Sequence, residues 1–182
     1  VYKRQELCRA LWKGDPVSQN ARWPLEAATL APLPHREGGP PIWSAASVSA
    51  GITRTARHHD GWFPIGPNAD TFATQNAQFR AEASAAGRNL EALTTAIYLT
   101  VSIMDDSVDA EAAIDAYLEN YYNAPAAAMR TFQACKGGTE DQVISFIRSF
   151  VLGGAQHLVI RCVGDHDKIL QVLSQRRDEF LE

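Results

Sequence analysis

What this sequence lacks already excludes several classes of protein. No apolar run reaches the ~18 residues of a membrane-crossing helix. Three cysteines, Cys8, Cys135 and Cys162, are odd in number and without metal-ligand spacing, so neither a disulfide framework nor a zinc site is expected. Such sparse cysteine fits a reducing cytoplasm, while an exported parent stays open because a signal peptide would lie upstream. The 17 Lys and Arg are scattered among 21 Asp and Glu, and a formal net charge of −4 leaves no electrostatic footprint for nucleic acid. No GxSxG, P-loop or GxGxxG pattern occurs. With 46% hydrophobic and 21% charged residues the composition is that of a globular protein.

What is present is a βα rhythm, densest over residues 38–64, GGPPIWSAASVSAGITRTARHHDGWFP. Pro40 and Pro41 hold the chain extended, and Ile42 and Trp43 supply strand-forming bulk, so a strand is expected at 42–44. Ser44, Ala45, Ala46 and Ser47 follow, small enough to leave the backbone open. Ser47 reads as the N-cap of a helix with Val48, Ile52 and Ala56 on one face, whose first amides can receive a phosphate. Asp60, Gly61, Trp62 and Phe63 then enter a second strand, at 61–65, after a short connection.

The rhythm extends in both directions. Residues 6–13 read as the tail of a helix stopped by Gly14, Asp15 and Pro16, and residues 17–34, interrupted by Pro24, Pro32 and Pro34, as an irregular hairpin or loop. Asp70 is placed to cap a helix with Phe72, Asn76, Phe79, Ala83 and Ala86 inward and Gly87 at its end. A third strand is expected at 94–101. The stripe Ala110, Ala113, Ile114, Tyr117, Leu118 and Tyr121 marks the next helix. Thr139 and Gln142 have capping-box spacing ahead of Val143, Phe146, Ile147 and Phe150, and Gly153-Gly154 closes that helix. A fourth strand at 157–162 precedes a terminal helix at 167–181 carrying Ile169, Leu170, Leu173 and Phe180.

Residues 40–47 and Asp60-Gly61-Trp62-Phe63-Pro64 resemble the luciferase-like monooxygenase family, in which a proline-led PPIWIGG strand, a serine-capped helix and DGWFP recur together. Gly137-Gly138-Thr139-Glu140-Asp141-Gln142-Val143 and Gly154-Ala155-Gln156-His157-Leu158-Val159-Ile160-Arg161 are similar to its closing GTPEQV and aGvrHfvlR elements. The resemblance implies the C-terminal half of an α/β fold, a (β/α)8 TIM barrel with parallel strands and an irregular insertion near residues 17–34. That barrel needs about 250 residues, whereas the chain has 182. It implies FMN or an 8-hydroxy-5-deazaflavin coenzyme, a small organic substrate and a homodimer. The amides around Ser44, Ala45, Ala46 and Ser47 then fall at the cofactor phosphate, with Trp43 and Trp62 as ring-wall or core residues. Ala45-Ala46 stands where the family has a glycine pair, and its methyl groups narrow that approach. Substrate-shaping residues lie on the family's first strands, so catalytic residues are unknown.

The opening Val1-Tyr2-Lys3-Arg4-Gln5 reads as translated sequencing-adapter sequence, which makes 6–182 the half-barrel and the missing half a product of fragmentation. Three polar groups carry two readings each. His58-His59-Asp60 is a metal cluster or a helix end, where an imidazolium suits the dipole. Gly164-Asp165-His166-Asp167 is a substrate-contacting rim loop or a helix cap, and Arg161 binds an anion or makes a structural ion pair. The leading expectation is a fragment of a flavin- or deazaflavin-dependent oxidoreductase or monooxygenase. The alternative is a non-catalytic half-barrel whose exposed strand edges drive self-association.

Overall fold

The computed structural model describes residues 2–20, 22–66 and 68–181. They form two compact units that divide between Ile42 and Trp43. In the first, helix α1 (Tyr2–Trp12) runs through the described part of the opening pentapeptide. It stops at Gly14, whose φ of 87° suits a residue without Cβ. Strands β1 (Val17–Gln19) and β2 (Leu25–Ala28) pair antiparallel, with a shift in register between Val17 and Gln19. This is the irregular hairpin expected of the proline-punctuated segment. Trp23 lies under the Arg4 guanidinium, 4.9 Å from its ring centre.

The second unit is a parallel sheet wrapped by helices. Its elements are β3 (Trp43–Ser44), α2 (Ser49–His58), β4 (Gly61–Trp62), α3 (Ala69–Ala85), a 3-10 turn at Leu90–Ala92, β5 (Thr94–Ile103), α4 (Ser107–Tyr122), α5 (Ala126–Met129), β6 (Ala134–Gly138), α6 (Glu140–Leu152), β7 (His157–Cys162), α7 (His166–Gln175) and α8 (Arg177–Leu181). β3 pairs with β4, β4 with the start of β5, and β5 with both β6 and β7, all parallel.

The sheet forks at β5. Residues 99–101 of β5 are in register with both β6 and β7, so these two strands lie on its opposite edges. Successive residues of a strand direct their polar groups to alternate edges. The Thr94 N–H donates to the Asp60 carbonyl beyond β4, whereas the Thr95 carbonyl accepts from the Gln156 N–H before β7. β4 therefore shares an edge with β6, and the two part company along residues 96–98.

Covered on both faces, β5 carries apolar or small residues almost throughout, as buried parallel strands do. Ile97, Leu99, Val101 and Ile103 enter the main core with Phe72 and Phe79 of α3, Val143, Ile147 and Phe150 of α6, and Ile169 of α7. Trp62, fully buried, lies between Phe72 and Phe79 at ring separations of 5.3 and 5.8 Å. α4 packs against β6, where Gly137 has no alternative, because a Cβ there would fall 2.3 Å from the Ala110 carbonyl carbon. A half-buried ion cluster fastens that contact: Arg130 meets Glu111 at 2.8 Å and Asp115 at 2.6 Å, and Lys136 meets Glu111 at 2.8 Å. At the head of α6 the capping box forms, and the Gln142 Oε1 that accepts from the Thr139 N–H also accepts from the Ser107 hydroxyl of α4.

Several expectations are corrected. The residue capping α2 is Val48 and not Ser47, and Val48 is 70% exposed and so not on the inner face. α3 is capped by Asn68, whose side chain accepts from the Thr71 N–H, because the helix starts one residue before Asp70. Ala86 and Leu170 are exposed. The first strand spans only Trp43–Ser44 and the second only Gly61–Trp62, since Pro64 has no N–H for a ladder. The third runs on to Ile103. The terminal helix breaks at Arg176, which Asp141 and Glu179 hold at 2.7 and 2.6 Å. β6 was not expected at all.

Gly137→Ala should lower stability by about 1–3 kcal/mol through overpacking, read as a lower urea midpoint at unchanged slope. A second expectation concerns acid. Burial raises the Glu111 carboxyl, but hydrogen bonds from Lys136 and Arg130 outweigh it and hold its pKa below the ordinary value. Its contribution is complete above the unfolded pKa and lost as pH falls through the folded one. Glu111→Gln should therefore flatten the drop in Tm between about pH 5 and pH 3.

Candidate active site

The loop joining β3 to α2 has its carbonyls tied inward. The Ser44 carbonyl accepts from the Phe63 N–H at 3.1 Å, the Ala46 carbonyl from the Trp62 indole N–H at 2.8 Å, and the Ser47 carbonyl from Gln75 Nε2 at 2.9 Å. In a trans peptide the N–H of the next residue points opposite to the carbonyl. Ala45, Ser47 and Val48 thus present their N–H groups away from the core, and no described residue accepts from them. The unsatisfied first amides of α2 adjoin them. Outward N–H groups at the positive end of a ten-residue helix can receive an anion, and this loop is a candidate cradle for one.

The alanine pair separates in role. The Ala46 methyl faces α2, where a Cβ on Gly51 would stand 3.1 Å from it. Ala45 instead lines a cavity of about 250 Å³ with Phe63, Pro64, Ile65, Tyr98, Tyr122 and Gln133. That cavity sits where β4 and β6 diverge: Tyr98 comes from the span of β5 that pairs with neither of them, Phe63 to Ile65 follow β4, and Gln133 precedes β6. Gln133 is 8% exposed, and its Oε1 is buried without a partner among the described residues. Burial raises the Tyr98 hydroxyl pKa against the opposing pull of Arg161, so this phenol stays protonated and can donate at neutral pH.

Trp43 is half-buried, edge-on to His157 at 5.1 Å and to Phe63 at 6.1 Å, and its indole N–H is buried without a partner among the described residues. Gly61 lies beneath it, where a Cβ would stand 2.6 Å from the indole. Trp62 is a core residue that reaches the cradle only through its bond to Ala46. Ser47 uses its hydroxyl on the Ile65 carbonyl, at 3.2 Å, instead of capping α2. Arg161 has tyrosines for company: its guanidinium lies 5.9 Å from the Tyr98 ring, 5.6 Å from Tyr117 and 5.3 Å from Tyr121, and it donates to the Tyr117 hydroxyl. Asp165 caps α7 by accepting from the Lys168 N–H at 3.0 Å. His58 is exposed and His59 buried, where desolvation lowers the His59 pKa. Among the described residues no His, Cys, Asp or Glu group could hold a metal ion.

Residues 5–177 match the family model described as luciferase-like monooxygenase. The chain belongs to the luciferase-like monooxygenase family. Its fold is similar to part of an F420-dependent secondary alcohol dehydrogenase, solved with an F420–acetone adduct, at a TM-score of 0.81 and 15% identity over 100% of this chain and 61% of that one. The chain is also similar to a long-chain alkane monooxygenase, at a TM-score of 0.70 and 13% identity over 98% of this chain and 57% of that one. A phthiodiolone/phenolphthiodiolone dimycocerosates ketoreductase of Mycobacterium kansasii is 33% identical over 111 residues, 59% of this chain and 30% of that protein. The chain thus spans about 60% of the solved luciferase-like structures and under a third of the ketoreductase. Its parallel sheet and covering helices are the C-terminal half of a (β/α)8 barrel.

Sequence reasoning missed Tyr98 and Gln133. Tyr98 carried a faint signal as the one large polar side chain in an otherwise apolar or small-residue strand, and Gln133 carried none. Trp62→Phe should keep the ring stack but leave the Ala46 carbonyl without its donor. The thermal midpoint should then fall by several degrees, from the ring volume removed in the core and the carbonyl left without its donor.

Proposed function

We propose that the chain is part of a flavin- or deazaflavin-dependent oxidoreductase acting in the cytoplasm on a small organic substrate, and that it supplies the cofactor's phosphate cradle. The supporting observation is the set of inward-tied carbonyls that turns the amides of Ala45, Ser47 and Val48 outward at the start of α2. The residues fit such a group. The cradle offers backbone donors to an anion, Ala46 keeps its methyl out of the way, and the adjoining cavity has aromatic and apolar walls with one buried carboxamide. Trp43, edge-on to His157 and with an unpartnered indole N–H, is a wall residue of the same reading. Both FMN and F420 carry the phosphate that this cradle suits.

The bound coenzyme supplies the redox chemistry. The protein's share is to fix the phosphate, shape the space beside it and exclude water. Little nucleophilic or acid–base machinery is needed for that. The likeness to F420-dependent enzymes supports a cofactor of the flavin and deazaflavin kind.

A second reading rests on β7, which pairs with β5 alone among the described strands and keeps all six residues at least partly exposed. A bare edge of this kind can pair with a second copy. A flavin-indifferent dimer on a sizing column would favour that reading.

Titration of the chain with FMN and with riboflavin tests the cradle, as does F420 against 8-hydroxy-5-deazariboflavin, which lacks the phosphate. The phosphate-bearing form should bind more tightly in each pair. Val48→Pro removes one outward N–H at an exposed side chain, and should weaken FMN about tenfold, within the range of a hydrogen bond to a charged group, with riboflavin unchanged. Equal affinity for FMN and riboflavin would refute the cradle.

A further inference from the structure

The fork in the sheet also brings together a second recognition site, and its chemistry differs from that of the cradle. Gln133 is buried at the cavity wall with a carboxamide that makes no hydrogen bond to any described residue. Tyr98, on β5 where the two strands part, presents a protonated phenol. Behind it stands Arg161. Among the described residues no carboxylate lies within ion-pair distance of that guanidinium, and its neighbours are the neutral rings and hydroxyls of Tyr98, Tyr117 and Tyr121. Arg130, Lys136, Lys168 and Arg176, by contrast, all meet acids. The lining itself includes no Asp or Glu.

The atom of Gln133 buried without a partner is Oε1, and turning the carboxamide over brings its N–H2 to the cavity beside the Tyr98 hydroxyl. Two such donors, with a nearby cation and no acid in the lining, favour an anion over a cationic guest. Its size and its Phe63, Pro64, Ile65 and Tyr122 walls suit one ring. We propose that this cavity recognises the carboxylate of a small aromatic or branched organic acid, with Gln133 and Tyr98 donating to the carboxylate and Arg161 supplying the positive field. Gln133 is the specificity-determining residue, because a carboxamide can turn its N–H2 end to an anion while an aliphatic side chain of the same volume cannot. The proposal extends the reading of the same site as part of an oxidoreductase by naming a substrate class. It needs no bound coenzyme for its test.

The probe is benzoate, compared with benzyl alcohol of similar size, each titrated calorimetrically into the chain. Benzoate should bind saturably at one site and more tightly than benzyl alcohol. Gln133→Leu should weaken benzoate about tenfold, the loss expected for a hydrogen bond to a charged group. Arg161→Met, which keeps the packed stem, should weaken benzoate and leave benzyl alcohol unchanged. Should Gln133→Leu fail to fold, Gln133→Glu preserves the volume and should abolish benzoate binding by like-charge repulsion. Benzoate that fails to bind, or binds no better than benzyl alcohol, would overturn the proposal, as would a folded Gln133 variant with native affinity. Benzoate binding with FMN and riboflavin held equally would sink the phosphate cradle alone, and the reverse outcome would sink this site alone.

Discussion

A strand has two edges, and β5 is asked to serve three neighbours. β7 takes one edge outright, so β4 and β6 must divide the other, one at the entrance of β5 and the other at its exit. Between them a short span of β5 goes unpaired by either. The cavity lies at that gap, walled by residues that end or begin the diverging strands. The site follows from hydrogen-bond accounting along one strand. The rest of the unit serves to hold that strand in place, through the aromatic stack of Trp62, Phe72 and Phe79 on one side and α4 on the other.

The cradle obeys a similar logic on a smaller scale. An amide can be offered to a ligand only if the peptide that carries it is prevented from turning over. Here the preventing groups are a backbone N–H, an indole and a side-chain amide, drawn from three separate places in the sequence. The indole belongs to a fully buried ring, so the packing of the core and the orientation of the loop are set by one side chain. A tryptophan buried away from solvent thus fixes the orientation of an exposed loop.

How far the sequence foretold this depended on the range of the interactions concerned. Local signals were reliable: the capping box at Thr139 and Gln142, the strand at 157–162, and the inward stripe of Phe72, Asn76, Phe79 and Ala83 all appear as expected. The caps fall one residue after Ser47 and two before Asp70: Ser47 spends its hydroxyl on the distant Ile65 carbonyl, and Asn68 offers a capping side chain ahead of Asp70. β6 was missed because Ala134-Cys135-Lys136-Gly137-Gly138 has neither alternation nor strand-forming bulk. Its glycine is demanded by the approach of α4, a contact from elsewhere in the chain. Gln133 and the fork were illegible for the same reason, since which strands share an edge is decided by pairing and not by composition.

One side-chain oxygen joins two helices. Gln142 Oε1 accepts from the Thr139 N–H that opens α6 and from the Ser107 hydroxyl that opens α4. Two helices lying far apart in the chain therefore share a single clasp at their first turns. Fraying at the head of either helix removes one of the two hydrogen bonds that hold this carboxamide, so a disturbance at one end is felt at the other.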